Sequence, residues 1–277
     1  MMAHPLITVP ELHENLARVA LFDIRWDLTD PAAGRARYLA GHIPGAVFVD
    51  LERDLCAPDG AGRHPLPDPA DFAVTLGRLG VGPVSEVVVY DDVGGGIAAR
   101  MWWMLRAIGH RGTVRILDGG WRAWSETGYE TEEGEVEPAP VSYPTPSGSF
   151  RGTIDRSAVQ AARGHLLLDG RNPERYRGES DPVDPRPGHI PGAINVPWQS
   201  SLEGSERLRD ATSLRRRFEA VGADRRPVIV SCGSGVTACH LALAMEIAGL
   251  PRPLLYPGSF SDWSRSDLPV VEGPQPG

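Results

Sequence analysis

The chain of 277 residues contains no lysine: all 28 basic residues are arginine. That absence removes Schiff-base chemistry, pyridoxal-phosphate chemistry and a Walker-type phosphate loop, each of which needs a lysine amine. Cysteine is scarce. The three present, Cys56, Cys232 and Cys239, form no CxxC and no even framework. They fit free thiols in a reducing cytoplasm rather than a disulfide scaffold. No apolar run reaches the about 18 residues that a membrane span requires. The opening "MMAHPLITVPELHENL" has neither the basic nor the apolar region of a secretory signal. Excess positive charge is missing as well. A formal net charge of −8 argues against nucleic acid or an anionic membrane as the main partner. His240 directly follows Cys239 and no second close pair of ligands appears, so the spacing shows no metal-ligand pattern.

What is present is an ordinary globular composition, 41% hydrophobic and 23% charged, in a chain long enough for two domains. The chain repeats itself. "GHIPGA" stands at Gly41–Ala46 and again at Gly188–Ala193. In the same order, "LFDIR" (Leu21–Arg25) answers "LLDGR" (Leu167–Arg171), and "VVVYD" (Val87–Asp91) answers "VIVSC" (Val228–Cys232). "IAARMWWMLRAIG" answers "VTACHLALAMEIAG", and "DGGWRAW" answers "PGSFSDW". The order points to a tandem duplication, with copies at residues 1–133 and 151–277 and a Pro/Ser/Glu-rich linker at 134–150. The unit is too long for a solenoid repeat.

Each copy alternates short, unbroken apolar runs with helical patterns. In the second, "HLLLD", "AINVP", "PVIVS" and "PLLY" read as strands. "IDRSAVQAAR", "SLRRRFEAVG" and "VTACHLALAMEIAG" read as helices. The fold class is therefore α/β, a mainly parallel sheet with helices on both faces in each domain. Ligands of such sheets sit beyond the carboxyl ends of the strands. Cys232 lies at such an end.

The loop after Cys232 is built from small residues, Gly233, Ser234 and Gly235, and a helix begins near Val236 and Thr237. Backbone N–H groups of this loop and the positive end of the helix make an anion cradle around the cysteine sulfur. Such a site lowers a cysteine pKa by one to several units, so Cys232 is expected as a thiolate. Cys239, seven residues on in an apolar helix, reads as core. Cys56 lies in a polar loop near Asp54 and Asp59, whose charges should keep it protonated. A cysteine phosphatase also uses a thiolate in an amide cradle, but its phosphate-clamping arginine stands six residues after the cysteine, where this chain has Ala238.

"CGSGVTA", the twin "GHIPGA" motifs and the tandem layout resemble the two-domain rhodanese sulfurtransferases over essentially the whole chain. The Cys-Gly-Ser-Gly-Val-Thr-Ala loop resembles the branch that acts on 3-mercaptopyruvate. The thiosulfate branch carries Arg and Lys where this chain has Gly233 and Ser234. The resemblance implies a two-step transfer that needs no metal or organic cofactor. Cys232 takes sulfur from the donor as a persulfide and passes it to cyanide, a small thiol or thioredoxin. The loop amides at Gly233, Gly235, Val236 and Thr237 would hold the negative charge. The alternatives are thiosulfate as donor, or a persulfide carrier that serves a partner protein without turnover. The first copy has Asp91 at the cysteine position and is expected to be catalytically silent. By the same resemblance Arg175 and Arg186 would grip the donor's anionic group. Ser234 would work with His64, from "GRHPLP", and with an acid of the first domain. That acid is Glu52, with Asp50 as competitor. His42 and His189 occur in both "GHIPGA" copies and read as turn-stabilising.

Overall fold

Val, Leu and Ile runs between the helical segments become the buried strands of two parallel sheets. The computed structural model describes residues 4–204 and 206–277. Its chain divides into two units. One comprises the chain up to Cys56, Pro67–Arg151 and Glu203–Leu208; the other comprises Ala57–Leu66, Gly152–Leu202 and Arg209–Gly277. Thus the ten-residue segment that carries His64 belongs to the second unit, although it lies within the first copy of the sequence repeat.

The first unit runs β1 (Leu6–Ile7), α1 (Val9–Asn15), β2 (Val19–Asp23), α2 (Pro31–Ala40), β3 (Val47–Phe48), α3 (Leu51–Leu55), α4 (Pro69–Arg78), β4 (Glu86–Tyr90), α5 (Ala99–Ile108), β5 (Val114–Leu117) and α6 (Gly120–Ser125). Its five-stranded sheet has the order β1-β5-β4-β2-β3, every pair parallel. Val87–Tyr90 of β4 are fully buried, as a central strand covered on both faces requires. Residues 134–150 form no helix or strand. They follow this unit's surface: Val141 N–H donates to Gly77 O (2.9 Å), Val136 N–H to the Tyr38 hydroxyl (3.0 Å), and Phe150 is buried against Phe72 and Trp103.

After residue 151 the chain runs α7 (Arg156–Ala161), β6 (Leu166–Asp169), α8 (Pro173–Arg177), β7 (Ala193–Asn195), β8 (Leu202–Glu203), β9 (Arg207–Leu208), α9 (Ala211–Glu219), β10 (Val228–Ser231), α10 (Ala238–Ile247), β11 (Leu254–Leu255) and α11 (Ser259–Trp263), all in the second unit except Glu203 and β9. Here β8 and β9 pair with each other, and β9 and part of β8 fall on the first unit's side of the division. The main sheet has the order β11-β10-β6-β7, again parallel throughout, with Ile229 opposite both Leu167 and Leu254. Its core gathers Leu167, Ile190, Ile229, Tyr256, Phe260 and Trp263. Each such side chain removed from water contributes about 1.5–3 kcal/mol before entropy is counted.

The sequence repeat reappears as repeated chemistry. Arg25 forks onto Asp23 and donates to Gly41 O (2.7 Å); Arg171 forks onto Asp169 and donates to Gly188 O (2.8 Å). Both ion pairs are buried, which makes loss of either partner costly, about 3–5 kcal/mol. The histidines of "GHIPGA" do the same work in each unit. His42 Nδ1 bonds Tyr38 O (2.9 Å) and stacks on that ring; His189 Nδ1 bonds Tyr176 O (2.8 Å) and stacks likewise. They staple a turn, which is the part the sequence assigned to them. Among the described residues no helix is long and apolar enough to cross a membrane.

Candidate active site

Cys232 follows the last residue of β10, and the loop 233–237 carries the chain into α10. The cysteine is 2% exposed, at the bottom of the loop. Gly235 turns through a φ of +81° and aims its N–H at Cys232 Sγ (3.1 Å). From below, Cys232 N–H donates to Ser259 Oγ (3.0 Å), and Ser259 Oγ donates to Tyr256 O (2.9 Å). Ser259 is the one non-glycine residue with positive φ (51°) among those described. Strain of this kind costs about 1–3 kcal/mol and collects at functional sites. Beyond Gly235 the chain enters α10, whose N-terminal end follows the loop directly.

The first unit shows what the same framework does without a thiol. Asp91 is fully buried at the equivalent strand end. Its Oδ1 accepts from the N–H groups of Val93 (3.0 Å) and Gly95 (2.8 Å), and its Oδ2 from those of Ile97 (2.8 Å) and Ala98 (2.9 Å). The side chain fills its own cradle. Burial pushes its carboxyl above the ordinary range, with the four N–H donors pulling the other way. At the position of Ser259 this unit has Gly120, φ +54°, where a Cβ would lie 2.2 Å from Asp91 O.

Ser234 and His64 meet: His64 Nδ1 lies 2.7 Å from Ser234 Oγ, with both residues buried. Arg175 lies over Gly233, where a Cβ would stand 3.2 Å from its Nη1. Its Nε donates to Asp181 Oδ1 (3.2 Å) and its Nη2 to Asp184 Oδ2 (2.8 Å). Val236 is buried and Thr237 half-buried at the start of α10, with Thr237 O accepting from His240 N–H (3.1 Å).

The expectation for Arg186 fares differently. Arg186 does not join Arg175 at Gly233. Its Nε donates to Ser264 O (2.8 Å), and its Nη2 to Trp263 O (3.1 Å) and Ser266 O (2.7 Å). It donates to carbonyls at and just beyond the end of α11 (Ser259–Trp263), where a helix leaves acceptors without intrahelical donors. Of the two acids, Asp50 caps α3, accepting from Glu52 N–H (3.0 Å) and Arg53 N–H (2.9 Å), and Glu52 is exposed on the first turn of α3 in the first unit.

The sequence reading missed Arg63. A Cβ on Gly233 would lie 3.1 Å from Arg63 Nη2, nearer than any atom of Arg175. Its neighbour in "GRHPLP" was singled out, so the signal was adjacent. It also missed Ser259, whose counterpart in the first copy is a glycine. Cys239 is fully buried and its thiol lies 3.4 Å from Gly235 O, so it supports the cradle from within the core. Cys56 is protonated, but for another reason than the one expected: burial, more than its acidic neighbours, pushes its thiol up to about 11. Among the described residues no cluster of three or more His, Cys, Asp or Glu is arranged to hold a metal.

The model of the rhodanese-like domain matches the chain twice, at residues 8–127 and 153–266. The chain belongs to the rhodanese family. A Pseudomonas aeruginosa protein, named provisionally as a 3-mercaptopyruvate sulfurtransferase, is 42% identical to this rhodanese over 95% of its length and 96% of the relative. A Mycobacterium tuberculosis protein, SseB, named provisionally as a thiosulfate sulfurtransferase, is also 42% identical, over 97% of both chains. The crystal structure of SseA from Escherichia coli, described as a 3-mercaptopyruvate sulfotransferase of the rhodanese fold, superposes with a TM-score of 0.81 at 34% identity. It covers 93% of this chain and 99% of SseA. The tandem rhodanese is a sulfurtransferase, and relatives of equal identity carry names with different donors.

Proposed function

We propose that this sulfurtransferase takes sulfur from 3-mercaptopyruvate, holds it as a persulfide on Cys232, and passes it to cyanide or a thiol, free or carried by thioredoxin. The observation that carries this reading is the company around Cys232: an N–H on its sulfur, the Ser234–His64 pair and the guanidinium groups over Gly233. In the first step Cys232 thiolate attacks the donor sulfur. An S–S bond forms, the donor C–S bond breaks, and its electron pair leaves as the enolate of pyruvate. That enolate takes a proton at carbon, which Ser234 backed by His64 relays. The donor's carboxylate faces Arg175, whose planar fork suits two oxygens. In the second step the acceptor attacks the outer sulfur and Cys232 leaves as thiolate, held by Gly235 N–H and the end of α10.

Thiosulfate is the second reading, and one observation favours it: two guanidinium groups stand beside the loop that lacks Arg and Lys. Two features favour mercaptopyruvate. Thiosulfate leaves as sulfite and needs no proton at carbon, so the buried Ser234–His64 pair would serve no step. The arginines are also matched by Asp181 and Asp184, so they offer directed donors without surplus charge for a dianion. Three free thiols suit a reducing cytoplasm. The test is kcat/KM for both donors with cyanide as common acceptor. Preference for mercaptopyruvate is expected; equal or better use of thiosulfate would overturn the donor assignment.

A further inference from the structure

We infer that Arg63 is the second arm of the donor clamp, in place of Arg186, and that Asp184 positions it. This rests on the reading of Cys232 as sulfur carrier for a donor that bears a carboxylate. The segment that holds Arg63 is tied to the nucleophile's loop through one residue: Arg63 N–H donates to Ser261 Oγ (2.9 Å), and Ser261 N–H donates to Gly233 O (2.8 Å). The guanidinium then lies over Gly233, side by side with that of Arg175. One carboxylate joins the two. Asp184 Oδ1 accepts from Arg63 Nη1 and Oδ2 accepts from Arg175 Nη2. The Asp184 side chain is 0% exposed, against 19% for Arg63 and 20% for Arg175. The acid lies beneath and the two forks open outward. Arg63 Nε is buried and has no hydrogen-bond partner among the described residues, so a donor is left for a ligand.

Charge decides what the clamp prefers. Arg63, Arg171 and Arg175 face Asp169, Asp181 and Asp184 in one connected set of ion pairs. The set is neutral. It suits a single carboxylate bound by geometry and gives little to a compact dianion. Gly233 is part of the device, because a Cβ there would press on both guanidinium groups, 3.1 Å from Arg63 Nη2 and 3.2 Å from Arg175 Nη1. The cation comes from the segment 57–66 instead of from the loop itself.

The experiment uses the full chain, both donors and cyanide, with the variants Arg63→Ala, Arg63→Lys, Asp184→Asn and Arg186→Ala. Loss of a charge-assisted fork predicts a KM for mercaptopyruvate raised about 10- to 100-fold in Arg63→Ala, with kcat little changed. Arg63→Lys should recover only part, since a point charge loses the fork. Asp184→Asn leaves the set with surplus positive charge and should shift preference toward thiosulfate. Arg186→Ala should leave both KM values unchanged. Calorimetry of mercaptopyruvate on Cys232→Ser, with and without Arg63→Ala, reads binding apart from turnover and should show the same loss. If Arg63→Ala fails to fold, Arg63→Lys carries the test. A folded Arg63 variant with wild-type KM and wild-type affinity overturns the inference. If the wild type uses only thiosulfate, the donor reading falls. The clamp then stands if Arg63→Ala raises the KM for thiosulfate and falls if it does not.

Discussion

Asp91→Asn tests whether the silent cradle is organised around a carboxylate. The four N–H groups of Val93, Gly95, Ile97 and Ala98 are shared two to each oxygen. Asparagine turns one oxygen into an NH2 group, so two buried donors face a donor. Each orphaned donor costs about 1–3 kcal/mol. Against this, a neutral side chain removes a buried charge whose carboxyl burial already holds above its usual range. The net expectation is a loss of roughly 2–4 kcal/mol. For a unit of this size that lowers the melting temperature by roughly 5–12 °C. Denaturant unfolding followed by tryptophan fluorescence suits the purpose, since Trp102, Trp103, Trp121 and Trp124 all lie in this unit. The midpoint should fall with little change in slope. An unchanged midpoint would refute the reasoning and show that the loop holds its shape without the carboxylate.

Two further outcomes follow from the same geometry. Ser234→Ala should lower kcat with mercaptopyruvate by about 100-fold or more and leave thiosulfate turnover much less affected, because only the former needs a relayed proton; equal losses with both donors would contradict the relay. The Cys56 thiol, with its pKa pushed up to about 11 from 9.0, stays neutral in the fold while an unfolded chain ionises first. The stability this gives is therefore present below about pH 9 and lost as pH rises toward 11, by roughly 2–3 kcal/mol. Cys56→Ala should be spared that share of the alkaline loss in a stability-against-pH series, and identical alkaline slopes would contradict it.

Much of this was legible in the sequence because it is local. The apolar strands, the turn histidines of "GHIPGA" and the glycine turn after β10 are each built from residues close in the chain. The Asp169–Arg171 fork went unread, although "LFDIR" and "LLDGR" repeat its two residues. His64 and Ser234 are far apart in sequence, and their pairing was expected only through resemblance. The losses have one cause. Which arginine reaches Gly233 is settled by how the segment 57–66 packs on Ser261, and no spacing encodes that. In a chain whose every basic residue is arginine, Arg63 carries no compositional mark, while Arg186 sat in a motif that suggested a ligand and is bound to helix-end carbonyls instead. The serine at 259 likewise reads as an ordinary loop residue until its φ is seen.

The most direct measurement is the mass of the protein after one equivalent of 3-mercaptopyruvate without acceptor, with the site mapped by peptide fragmentation and pyruvate assayed in the same sample. The expected result is one added sulfur on Cys232, pyruvate in equal amount, and loss of the added mass when cyanide is supplied. Sulfur found on Cys239 or Cys56, or pyruvate released with no sulfur on the protein, would contradict the assignment of Cys232 as the carrier.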